Sequence, residues 1–198
     1  MRQPLRLGLW NVALLTALAV PLAAAQAPAQ APNFKVEIWG DALTDFSSRL
    51  SAYAELRDKL QQGLPPLVVT AKPEEILLAE EALAARIRLA RAGAKRGDIF
   101  SPKIRDAFRR ALAGVMTLGM CEAIRDDNPG EFSYAVNGTY PKRQPHSTVP
   151  PTVLGVLPRL PDDVMYRFLD RDLILHDTRA NVILDRIDDA TKCPRPPG

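Results

Sequence analysis

Up to about residue 128 the apolar residues of this chain recur every third or fourth position; beyond it they recur every second. A chain patterned this way builds helices first and strands afterwards. That excludes an alternating βαβ sheet and points to an α+β fold. Over 42–62 the stripe is Leu43, Phe46, Leu50, Tyr53, Leu56 and Leu60, one face of an amphipathic helix. Gly63, Pro65 and Pro66 break it. Pro73 suits a first helical turn, followed by Glu74 and Glu75 at the positive end of the dipole. The second stripe runs Ile76, Ala79, Leu83, Ile87, Ala90, Ala94. Two such helices joined by a loop predict an antiparallel hairpin, with alanines allowing close approach. Ser101 before Pro102 starts a third helix, with Ile104, Phe108, Leu112 and Val115 on its buried side. An interruption is expected at Gly119 and a short continuation to Arg125; "DDNPG" ends helical character.

The second half reads as strands. "EFSYAVN" places Phe132, Tyr134 and Val136 on one face. "GTYPKRQPHSTVPP" is a loop, and "TVLGVL" a single helical turn. "VMYRFL", "DLILH" and "NVILD" then form an antiparallel meander, with Asp170 and Arg171 in the first turn and Asp177 and Asn181 flanking the second. The predicted fold is an N-terminal antiparallel helical hairpin plus a third helix, packed with a small C-terminal antiparallel β-meander. It forms a single α+β domain over 41–190. Residues 26–40 are expected to be a flexible lead, with 34–39 as a short strand or an extended arm, and 191–198 a flexible tail.

The first 25 residues read as a signal peptide: "MRQPLR", an apolar run closed by Pro21, then Ala23 and Ala25 before a cut at Gln26. The expected location is exported, periplasmic or secreted. No later stretch approaches the ~18 continuous apolar residues of a membrane span. Loss of Arg2 and Arg6 lowers the formal charge from +3 to +1 (3 − 2), so whole-molecule charge makes no case for nucleic acid. About 173 residues remain (198 − 25), enough for one domain with a real core. The only cysteines, Cys121 and Cys193, survive cleavage. An oxidising compartment permits them to pair, and two unpaired thiols are the alternative.

Candidate sites are few. Arg86, Arg91 and Arg109 belong to a locally basic stretch over 86–110 suited to anionic lipid, cell-wall polymer or an acidic partner protein; a solvated helix face is the plainer reading. Arg167, Arg171 and Asp172 form a second charged group at the first hairpin. His176 and Asp177 are the candidate metal ligands, with Asp172 and Asp185 nearby; the alternative is that these aspartates are turn residues. His146 is the second of only two histidines. No G-x-S-x-G elbow, C-x-x-C pair or cofactor fingerprint is present, so no catalytic residue and no cofactor is assigned. Asn137-Gly138-Thr139 fits a glycosylation sequon and a tight turn equally.

The phrases "RGDIFSP", "AIRDDNPG", "VNGTYP", "VPPTVLGVLPRLP" and "YRFLDRDLILHDTRANVILDRI" resemble a family of short exported bacterial proteins of unknown function, over about residues 42–190. The resemblance implies export and one domain, and no activity or site residue. The functional expectation is a non-enzymatic envelope protein that binds an envelope protein, an anionic polymer or a small ligand. A small envelope hydrolase using carboxylate or histidine residues, and a periplasmic metal-binding protein, are the alternatives.

Overall fold

The computed structural model describes residues 34–65, 72–127, 133–141 and 149–194. The expected signal peptide, the lead over 26–33, Phe132, His146 and the last four residues lie outside them. Five helices, α1 (Phe34–Gln61), α2 (Pro73–Ala90), α3 (Pro102–Ala113), α4 (Leu118–Asp126) and α5 (Pro151–Leu154), precede three strands, β1 (Val164–Leu169), β2 (Asp172–Asp177) and β3 (Val182–Ile187). The strands form one antiparallel sheet in the order β1-β2-β3. The fold is therefore α+β, helices first and a meander last.

α1 turns Ala42, Phe46, Leu50, Tyr53 and Arg57 inward, spacings of four, four, three and four that keep one face. It packs against α2 and α3. On α2 the buried residues are Ala79, Leu83, Ala84 and Ile87. α3 buries Ile104, Ala107, Phe108 and Leu112. An aromatic triangle joins α1, the loop before α3 and α3 itself: Phe46 stacks on Phe100 at 5.6 Å, and Phe108 meets them edge-on at 5.1 and 5.4 Å. Tyr166 of β1 lies 6.1 Å from Phe108, which brings the sheet onto the same cluster.

The meander buries both faces. Val164, Tyr166, Phe168, Leu173, Leu175, Val182, Leu184 and Ile187 join the helical core. On the opposite face Leu169, Ile174 and Ile183 pack under Tyr140. The β1–β2 turn is the two residues Asp170 and Arg171, since Leu169 pairs with Asp172. Asp170, at φ 52°, takes the left-handed conformation that short polar side chains tolerate. Between β2 and β3 the register slips: Leu175 pairs with Asp185 and His176 with Ile183. Leu184 is the extra residue of a bulge. A bulge lets two successive residues leave on one side, so Leu184 and Asp185 both face the helices. Cys121 of α4 is disulfide-bonded to Cys193, with Cα atoms 5.5 Å apart.

Four local expectations differ from the structure. Residues 34–40 are helical and open α1, where a strand or extended arm is expected. Adding turns to an established helix needs no new nucleus, and no proline stands between Phe34 and Gln61 to stop it. The second helix ends at Ala90, not Ala94. The break after the third helix falls at Gly114, not Gly119; Thr117 then caps α4, its hydroxyl accepting from the Met120 N–H at 3.3 Å. The strand expected over 131–137 is absent from its described part. Asn137 is left-handed at φ 65°, and only Thr139 bridges to Val182 of β3.

Candidate functional site

Two acidic residues of the meander, Asp177 and Asp185, turn inward. The Asp185 side chain, fully buried, accepts N–H bonds from Gly97 (3.0 Å), Ile99 (2.8 Å) and Phe100 (2.7 Å), and from its neighbour Arg186 (2.7 Å). It organises the loop between α2 and α3, whose N–H groups a buried loop must satisfy somehow. Gly97 holds φ 96° there, a conformation that favours glycine. Asp177, also fully buried, accepts from Tyr53 Oη at 2.6 Å and from the backbone N–H groups of Arg179 and Ala180, both at 2.9 Å. Arg57 Nη1 lies 3.5 Å away and donates to the Asp162 carbonyl at 2.9 Å. Burial, with the Asp177 charge and hydrogen bond adding to it, pushes the Tyr53 hydroxyl pKa far up.

Each candidate site residue within the described part of the chain has a definite place. Arg86 Nη1 caps α1, donating to the carbonyls of Leu60 (2.8 Å) and Gln62 (2.9 Å). Arg91 lies over the Tyr53 ring, 5.4 Å from its centre, and donates to the Leu184 carbonyl at 2.9 Å. Burial lowers its pKa. Arg109 donates to the Asp188 carbonyl at 2.8 Å. Arg167 sits on the outer face beside Met165, Nη2 to Sδ 3.4 Å, its pKa lowered by burial. Arg171 pairs with Asp189 at 2.8 Å. Asp172 accepts from Tyr134 Oη at 2.6 Å and from the Asp189 N–H at 2.8 Å. His176 is buried, its ring stacked 4.7 Å from Tyr140 and its Nε2 3.0 Å from Asn181 Oδ1. Successive strand residues point to opposite faces, so His176 and Asp177 are not brought together. Among the described residues no group of three His, Cys, Asp or Glu side chains is placed to hold a metal ion.

The sequon asparagine belongs to the fold. Asn137 Nδ2 donates to the carbonyls of Arg88 (3.0 Å) and Arg91 (2.9 Å), closing the C-terminus of α2. A Cβ at Gly138 would come 2.9 Å from the Ala135 carbonyl oxygen, so the turn requires glycine there. The sequon's amide nitrogen is thus occupied, and the turn reading is the one the geometry supports.

Among the described residues, three surface cavities stand out. One of about 330 Å³ lies between Leu154, Leu157, Leu160 and β1 residues Val164, Met165 and Tyr166. One of about 300 Å³ opens beside Arg49, Tyr53, Leu56, Arg91 and Asp98. The third, about 150 Å³, is lined by Arg96, Arg105, Arg109 and Asp188 alone. None of the three is lined by two carboxylates, or by a carboxylate with an imidazole. In the third, Asp188 forms ion pairs with Arg96 and, at 2.9 Å, with Arg186. Arg105 and Arg109 stand one helical turn apart on α3.

Sequence reasoning counted Arg96 and Arg105 with Arg109 in the basic run over 86–110, but it did not single these three out, and it gave Asp188 no role. The signal was present in the basic run over 86–110, yet only the return of the chain after β3 selects which of those arginines share a cavity. Comparison with protein-family models, with curated proteins and with solved structures finds no match.

Proposed function

We propose that this is a non-enzymatic exported protein of the cell envelope that binds an anionic partner at the arginine cavity beside α3. The observation that carries the reading is the uneven use of charge. The two buried acids of the meander are spent on internal bonds, Asp177 to α1 and Asp185 to the loop over 97–100. The guanidiniums of Arg96, Arg105 and Arg109 instead gather at a surface cavity with one carboxylate among them. Such an excess attracts and orients anions. Export is supported by the N-terminal pattern of basic residues, apolar run and small-residue cut, and the Cys121–Cys193 bond suits an oxidising compartment.

The test places a photo-crosslinking residue at exposed Lys95 and expresses the full chain in its own cell. The expected result is a processed chain beginning at Gln26 and a discrete adduct that disappears in an Arg96→Met, Arg105→Met double variant. A chain that remains unprocessed, or adducts indifferent to the two substitutions, would overturn the reading.

A further inference from the structure

We propose that the cavity among Arg96, Arg105, Arg109 and Asp188 is a site for a doubly charged tetrahedral oxyanion, a phosphate or sulfate group; this specifies, and rests on, the anionic-partner reading above. Charge, donor geometry and an unused group point the same way. Three guanidiniums against one carboxylate leave the lining at +2 (3 − 1). A carboxylate ligand would neutralise half of that, whereas a phosphate group carries about −1.5 to −2 near neutral pH. Planar guanidiniums present paired N–H donors that match phosphate and sulfate edges.

The unused group is Arg105. Its side chain is half-buried, yet among the described residues it has neither a hydrogen bond nor an ion pair. Arg96, Arg109 and Arg186 are all engaged. Arg109 holds the Asp188 carbonyl at 2.8 Å, Arg96 pairs with the Asp188 carboxylate, and Arg186 pairs with it from the other side at 2.9 Å. None of its nitrogens is buried, so its five donors are open to the cavity and to whatever acceptor enters it. The cavity is where an acceptor fits.

The surroundings leave Arg105 room beside its fixed neighbours. A Cβ on Gly97 would stand 3.2 Å from Arg105 Nη1, so the glycine leaves room for the guanidinium. The same glycine is fixed by Asp185 through its N–H. Arg109, one turn along α3, is fixed by the Asp188 carbonyl. A site whose donors are oriented before the ligand arrives loses little entropy on binding.

The experiment is calorimetric titration of the oxidised, mature chain at constant ionic strength with inorganic phosphate, sulfate, glycerol phosphate and acetate. Phosphate and sulfate should bind saturably, with acetate at least about tenfold weaker. Glycerol phosphate binding tighter than inorganic phosphate would assign the site to a phosphate ester; equal or weaker binding would assign it to the free ion. Arg105→Met should weaken phosphate binding about tenfold or more and leave the ligand-free melting temperature unchanged. Arg110→Met removes the same charge from an exposed α3 position outside the cavity and should leave binding unchanged. Absence of saturable phosphate and sulfate binding, or equal losses in the two variants, would overturn the proposal. If that failure came with a persisting arginine-dependent adduct at Lys95, the oxyanion assignment would fall and the anionic-partner reading would stand.

Discussion

The carboxylate of Asp185 accepts the backbone N–H of Phe100 at 2.7 Å across 85 residues of sequence. The contact exists because the bulge at Leu184 turns two consecutive side chains toward the helices. Arg91 seals the same spot, donating to the Leu184 carbonyl. The residue that follows the bulge of β3, Asp185, is therefore the one that holds the α2–α3 loop, and that loop in turn carries Arg96 to the arginine cavity.

Asp185→Asn should destabilise the protein by about 1–3 kcal/mol, the cost of a buried donor left without its acceptor. The amide keeps one acceptor oxygen and turns an NH2 group toward N–H donors that need an acceptor. Urea unfolding read by circular dichroism measures the loss. Amide hydrogen exchange should accelerate first at Gly97, Ile99 and Phe100. Unchanged protection there would refute the role given to the carboxylate.

Tyr53→Phe should cost about 1.5–3 kcal/mol, the range for a hydrogen bond to a charged acceptor. Tyr134→Phe deletes the same kind of bond, to Asp172, at a half-exposed position. Its cost should be the smaller of the two. Denaturant midpoints of the two variants, measured side by side, give the comparison, and a reversed order would contradict the assigned burial.

Reduction of the Cys121–Cys193 bond should lower stability by about 4 kcal/mol if chain entropy dominates, given a sequence separation of 72 residues. Helical and strand content should survive under native conditions, because the core of α1, α3 and the sheet does not involve the two sulfurs. Urea midpoints with and without reductant supply the number. A difference below about 1 kcal/mol would show that the unfolded chain is already constrained.

Alkali should unfold the protein through its tyrosines. Burial raises the pKa of Tyr53, Tyr134 and Tyr166 above the ordinary 10, and Asp177 and Asp172 add to it for the first two. With folded values raised, the stabilisation is complete below pH 10. It shrinks as pH climbs from the unfolded value toward the folded ones, since only the unfolded chain then releases its protons. Absorbance at 295 nm should therefore show most of the four tyrosines silent until the circular dichroism collapses. Early titration of all four in a folded protein would contradict the burial.

The helices were legible because their stripes are long: Phe46, Leu50 and Tyr53 on α1 and Leu83 and Ile87 on α2 are buried in the register that periodicity gives. The meander was legible because its turns carry aspartate and asparagine between short apolar runs. Periodicity said nothing about Arg57, which lies on the buried face of α1 and reaches the Asp162 carbonyl; a charged residue in a stripe looks like its edge. Ser101 precedes Pro102 as a cap should, but its hydroxyl donates to Asp45 at 3.0 Å instead of capping α3. The bulge at Leu184 leaves no trace in composition, because one added apolar residue in "NVILD" reads as a longer strand. The arginine cavity is assembled from 96, 105, 109 and 188, positions that only tertiary structure makes neighbours.

Because the acceptor for the amides of residues 97, 99 and 100 sits at position 185, the loop in the front half of the chain is incomplete without the last strand. The helices there can form and collide early, but the loop between the second and third stays open-ended until the final strand is threaded alongside. A chain cut short before that strand would leave those three amides without their acceptor and would be a slacker bundle, not a smaller version of the same protein.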